Sequence, residues 1–287
     1  MSSKFYNNVK TVFLLGALSA LLLVAGHFIG GPQGVGVALV FAAVMNFVGY
    51  FFSDKIALMS MRAQEVGPEH PLYQIVADLA RRAQMPMPRV YISPQPAPNA
   101  FATGRSPNHA AVCATEGLLH MLDRNEIAGV MAHELAHIRN RDILIATIAA
   151  TIGAAISTLG YMFMFGGGRS NNEQSPLSAI AGILVLLLGP LAAALIQASI
   201  SRSREFNADK VGAEICGNPM YLATALYKVH HGAAQIPLMG NPAYNALMIA
   251  EPLNAVQTMA RLFATHPPLE ERLQNLIGRP TLGGAYR

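Results

Sequence analysis

Four stretches of almost unbroken apolar residues, at roughly 11–30, 34–52, 143–165 and 178–200, stand out from a chain whose other segments mix polar and apolar positions. Each is long enough, at about 1.5 Å per helical residue, to cross a hydrocarbon core of about 30 Å. They predict two transmembrane hairpins. The competing reading, buried helices of a large globular core, struggles to account for four stretches of this length and purity.

Between the hairpins the periodicity changes. Leu72, Ile75, Val76 and Leu79 recur at helical spacing over 70–83, and Pro86 and Pro88 then force extended chain leading into a strand at 89–93. Residues 96–105 read as extended or turning chain up to His109. A short apolar strand is expected at 110–114 and a helix at 116–122. Asp123 followed by Glu126 resembles a capping box, and it opens a helical run through Ile127, Val130, Met131, Leu135 and Ile138. From 205 onward the pattern is helical, with segments at 213–215, 222–229 and 253–263 separated by Gly217-Asn-Pro and by a loop through Gly240-Asn-Pro. The expected organisation is a hairpin at 1–52, a mixed α+β part at 53–142, a second hairpin at 143–200 and a helical part at 201–287.

Composition supports a mainly α membrane protein, since 52% of the 287 residues are hydrophobic and 13% charged. Charge placement then orients it. Lys4 and Lys10 precede the first stretch, Lys55 and Arg62 follow the second, and Arg139, Arg141, Arg202 and Arg204 flank the second pair. The positive-inside rule puts everything except two short loops in the cytosol of a multi-pass inner-membrane protein. Were the first stretch a cleaved signal peptide the topology would reverse, but a second apolar stretch follows almost at once. Cys113 and Cys216 form no framework and suit a reducing compartment. The net charge of +4 is accounted for by the membrane flanks and carries no nucleic-acid signal.

The chemistry lies in the run Met-Ala-His-Glu-Leu-Ala-His-Ile-Arg-Asn-Arg-Asp. On a helix His133 and His137 share one face and reach one metal ion, with Glu134 turned toward the same place as a general base. A catalytic zinc needs a third protein ligand and an open position. Glu205 is the best candidate because it follows the fourth apolar stretch as closely as His137 precedes the third. Asp209, one turn further, is placed to accept the outer N–H of His133 or His137. Asp142 reads as a helix-end or ion-pair residue. One Zn2+ per subunit, polypeptide substrates and a lipid bilayer are the expected partners. Two rival classes stay in view: an intramembrane protease, against which Arg124, Arg139 and Arg141 argue, and a metal-binding scaffold or transporter, for which the apolar stretches hold almost no ionisable residue beyond His27.

With Pro98-Asn-Ala-Phe-Ala-Thr-Gly, Ser201-Arg-Ser-Arg-Glu-Phe-Asn-Ala-Asp and Thr265-His-Pro-Pro-Leu-Glu-Glu-Arg-Leu, these motifs resemble the HtpX-type membrane zinc metalloproteases, related to the prenyl-protein endopeptidases. The resemblance implies a zincin-like domain with a gluzincin-type site: His133, His137 and Glu205 as ligands, Glu134 as base, His266 as oxyanion donor and Arg272 as support. It also implies a substrate-binding edge strand within Asn99 to Ala114, which we expect at Ala110, Ala111, Val112 and Cys113 with Asn99 nearby. Quality control of damaged membrane proteins is the role it implies.

Overall fold

The structure is a computed structural model that describes residues 3–144, 202–233 and 267–282. The apolar stretches at 143–165 and 178–200, the helix expected at 253–263 and His266 therefore lie outside the described residues, save for the first two positions of the third stretch.

The chain opens with a helical element, α1 (Ser3–Ser60), that holds Pro32 within it. Gly31 adopts the left-handed region, φ 56°, next to a proline that has no N–H to offer the helix. There α1 doubles back. Asn46 Nδ2 donates to Ser19 Oγ at 2.9 Å, whereas a straight helix would hold these residues about 40 Å apart. One polar contact thus joins two apolar runs, as is common between membrane helices. Residues Gly31–Ser60 have the length of a bilayer-crossing helix and hold an 18-residue window with a mean hydropathy of 2.1. Their surface is correspondingly apolar, with Val37, Val40, Phe41, Val44 and Phe47 all exposed.

The apolar run ends near residue 52, yet α1 continues to Ser60 because its last turns pack on protein. Ala57, Leu58 and Met61 are buried against Tyr91, Phe101, Ala111 and Cys113. Strand β1 (Gln64–Glu65) follows, then α2 (Pro71–Arg82), whose N-cap His70 accepts the Leu72 N–H through Nδ1 at 3.1 Å. Next come β2 (Arg89–Ser93), β3 (Ala100–Ser106), β4 (His109–Thr115), α3 (Glu116–Met121) and α4 (Arg124–Asn140). The described C-terminal part supplies α5 (Arg202–Cys216), α6 (Pro219–Ala233) and α7 (Leu269–Ile277).

The sheet has the order β1-β2-β4-β3, with β2 and β4 parallel and the two outer pairs antiparallel. Side chains alternate across it. Ala100, Ala102, Ala110, Val112 and Ala114 join the main core with α2, α4, α5 and α6, while Phe101, Ala111 and Cys113 face α1. The sheet is thus one layer between the α4 helix and the end of α1.

This order corrects the expected substrate edge. Ala110, Ala111, Val112 and Cys113 sit on β4, which is paired with β2 on one side and β3 on the other. Its backbone groups are committed and cannot take an added strand. The reason was present in its composition: residues 110–114 are apolar without alternation and so buried on both faces, the mark of an inner strand. The outer strand on that side is β3.

Candidate active site

Helix α4 begins as its residues dictate. Asp123 Oδ1 accepts the N–H groups of Asn125 and Glu126 at 2.8 and 3.0 Å, and Glu126 Oε2 accepts the Asp123 N–H at 2.9 Å. Lys228 of α6 reaches the same Glu126 at 2.8 Å and ties the cap to a second helix. The helix stops where Arg141 turns left-handed, φ 61°.

The ion pairs 142 with 204, 137 with 205 and 133 with 209 show α5 running antiparallel to α4. Their approach depends on Gly212. A Cβ there would lie 2.9 Å from both the Cα and the N of His133, closer than packed side chains come. Glycine lets the two backbones touch and brings the carboxylates of α5 up to the histidines of α4.

At the centre, His133 Nε2 and His137 Nε2 are 3.2 Å apart. Glu205 completes the triangle, with Oε2 3.6 Å from His133 Nε2 and Oε1 3.5 Å from His137 Nε2. Ligand atoms bound tetrahedrally at about 2.0–2.1 Å stand about 3.3 Å from one another, so the three donors fit a single ion of zinc's size. Among the described residues this is the group of His, Cys, Asp or Glu donors able to hold a metal ion. Glu134 is buried beside it, 4% exposed.

Behind the histidines stand two further carboxylates. His133 Nδ1 lies 2.9 Å from Asp209 Oδ1, and His137 Nδ1 lies 3.4 Å from Asp142 Oδ2. A carboxylate on each outer nitrogen favours the tautomer that keeps the Nε2 lone pair pointing inward. Asp209 is in turn gripped by Arg272 of α7, through Nε at 2.9 Å and Nη2 at 2.5 Å. Burial alone would raise the Asp209 carboxyl, but Arg272 and His133 hold it at about 2. Burial likewise opposes charge on His137, yet Glu205, Asp142 and Glu134 lift it to about 9. The site therefore carries more negative charge than its own cations balance, which suits a divalent metal.

Of the residues singled out in the sequence, the structure brings together His133, Glu134, His137, Glu205, Asp209 and Arg272. Asp209 takes the outer nitrogen of His133 specifically. Asp142, read as an ion-pair residue, does pair with Arg204 at 3.9 Å but also backs His137. Five residues on, it would point away along a regular helix; the left-handed Arg141 swings it back. Asn99 is buried at the start of β3, its N–H on Thr115 Oγ1 at 2.8 Å and its Oδ1 accepting the Ala100 N–H at 2.7 Å. It fixes the strand end.

A model of Peptidase family M48 matches residues 68–279. A Protease HtpX homolog from Desulfatibacillum aliphaticivorans is 51% identical over 286 residues, covering 97% of this chain and 92% of the relative. Another, from Burkholderia cenocepacia (strain HI2424), is 52% identical over 277 residues, covering 95% and 96%. The fold resembles the crystal structure of S. mikatae Ste24p at a TM-score of 0.52 and 19% identity, covering 96% of this chain and 66% of that one. With the family model running through the histidine helix, α5 and the Arg272 helix, and half of all positions shared with such relatives, the chain belongs to peptidase family M48 and is a metallopeptidase.

Proposed function

We propose that this metallopeptidase is a zinc-dependent endopeptidase of the cytoplasmic membrane, cutting misfolded or damaged membrane proteins at their cytosolic segments. The zinc assignment rests on one observation, the 3.2–3.6 Å triangle of two imidazole nitrogens and a carboxylate. His133, His137 and Glu205 would hold the ion. Bound there, zinc supplies Lewis acidity, polarising a carbonyl and making a water molecule acidic enough to attack near neutral pH. Glu134 takes the proton of the attacking water and returns it to the leaving amine. Asp209 and Asp142 keep the two imidazoles in register, and Arg272 keeps Asp209 ionised. Family likeness suggests His266, in the His-Pro-Pro motif, as the oxyanion donor.

The substrate would lie along β3 as an added strand, held by backbone hydrogen bonds and so chosen for its extended form more than its side chains. Membrane anchoring by α1 is supported by its apolar surface and length. Helix α4 is enclosed by the sheet, α2, α5 and α6, which favours cutting outside the lipid over cutting within it.

The test is Glu134→Gln in the full chain, solubilised in detergent. It should keep one equivalent of zinc and lose cleavage of an unfolded substrate by at least about 100-fold. Retained turnover would defeat the assignment, and Glu205→Ala should instead lose the metal.

A further inference from the structure

The apolar surface of α1 ends in a group of rings that peptide hydrolysis does not use. Phe47 lies 4.7 Å from Phe51 and 6.2 Å from Phe52 between centroids, and Tyr50 and Phe51 lie 4.9 Å apart. Two cations from different elements stand on this group. The Lys55 ammonium is 5.5 Å from the centre of the Phe52 ring, and the Arg105 guanidinium is 5.4 Å from that of Phe51. Among the described residues neither has a carboxylate partner, whereas nearby Arg89 is taken by Asp54 at 2.9 Å.

Arg105 is placed there by a fault in the sheet. The pairing of β3 with β4 shifts between Gly104 and Ser106, leaving Arg105 opposite no residue of β4. Such bulges re-aim side chains, and this one carries a guanidinium onto a helix. The strand also has a direction: Phe101 packs at the level of Ala57, Leu58 and Met61, and Arg105 at the level of Phe51. Four strand residues rise about 13 Å and seven helix residues about 10 Å, so β3 climbs α1 toward its apolar surface.

Aromatic rings gather at the headgroup layer of a bilayer, and basic residues just beyond a span meet anionic lipid there. We infer that Lys55 and Arg105 together hold the headgroup of an anionic phospholipid, which bridges α1 to the upper end of β3. The inference rests on reading α1 as a membrane span. It gives the substrate-binding edge a second anchor, made of lipid, at the membrane surface.

The full chain in nanodiscs containing labelled phosphatidylglycerol or labelled phosphatidylcholine tests this by relative lipid association. The wild type should prefer phosphatidylglycerol, and Lys55→Gln and Arg105→Gln should each reduce the preference about five-fold. An unchanged preference in the double variant, with its thermal transition intact, would overturn the inference. So would loss of the wild-type preference on adding inorganic phosphate at constant ionic strength, which would assign the pair to free phosphate. Chelator-sensitive proteolysis by the wild type in phosphatidylcholine discs reports separately on the peptidase reading.

Discussion

Replacing Gly212 by alanine should damage the protein, although alanine is the better helix former by about 1 kcal/mol. The added Cβ would meet backbone at 2.9 Å, the Cα and N of His133, with the carbonyl carbon of Ala132 at 3.2 Å. These atoms belong to a buried helix and cannot swing aside as a side chain would. Reaching ordinary contact at 3.4 Å requires α5 to retreat by the difference, about 0.5 Å. Overpacking of this kind costs about 1–3 kcal/mol, so the variant should be less stable by up to about 2 kcal/mol after the propensity gain. Asp209 lies three residues before Gly212 and Glu205 seven, on the same face, so both carboxylates retreat with the backbone. Zinc affinity should fall about 10–100-fold, the range seen when a ligand's support is disturbed, and kcat/KM with it. Thermal melts, zinc titration and proteolysis rates measure the three effects. A Gly212→Ala protein stabilised by about 1 kcal/mol with undiminished zinc affinity would show that α4 and α5 are not in backbone contact.

Arg272→Met should cost about 3–5 kcal/mol, because it strands the buried Asp209 carboxylate, while Asp209→Asn combined with Arg272→Met should recover part of the loss; a single variant as stable as wild type in thermal melts would refute the pairing. The raised His137 gives the metal-free protein stability that is full below about pH 6.5, its unfolded value, and is lost as pH rises through about 9. The metal-free melting temperature should therefore drop across that window, and zinc binding near neutral pH should release a proton from His137, seen as a buffer-dependent enthalpy in calorimetry. The sign is opposite for Asp209, whose stabilisation holds above about pH 4 and is lost as pH falls toward 2. Burial raises the Cys113 thiol and hides it completely, 0% exposed, so alkylating reagents should spare it until the protein unfolds; rapid labelling of the native protein would contradict the packing of α1 on the sheet.

The α4 half of the candidate site was legible because its signals are local. Asp123 and Glu126 announce a helix start, the histidine pair has a spacing only a helix makes useful, and Asp209 lies one turn from Glu205. The third candidate ligand, Glu205, came from elsewhere in the chain and was legible through its place beside an apolar stretch. What escaped depends on contacts that no local pattern records. Residues 100–106 hold small and polar residues in no clear alternation, and they become a strand only because β4 lies beside them. Asp142 joins the site through one left-handed residue. The last turns of α1 looked like the start of a new segment because Asp54 and Lys55 end the apolar run, but Ala57, Leu58 and Met61 beyond them are sheet cover.

That cover sets where the rest of the chain can be severed from the first hairpin. A fragment beginning after residue 63 would bare Tyr91, Phe101, Ala111 and Cys113, which the end of α1 now covers. At about 1.5–3 kcal/mol for each large side chain uncovered, Tyr91 and Phe101 alone lose about 3–6 kcal/mol, a large share of the 5–15 kcal/mol that holds a typical domain folded. A fragment beginning near residue 53 keeps the lid and sheds the greasy surface. The frontier between the membrane part and the enzyme thus falls inside a single helix, between Phe52 and Ala57, and not at either of its ends.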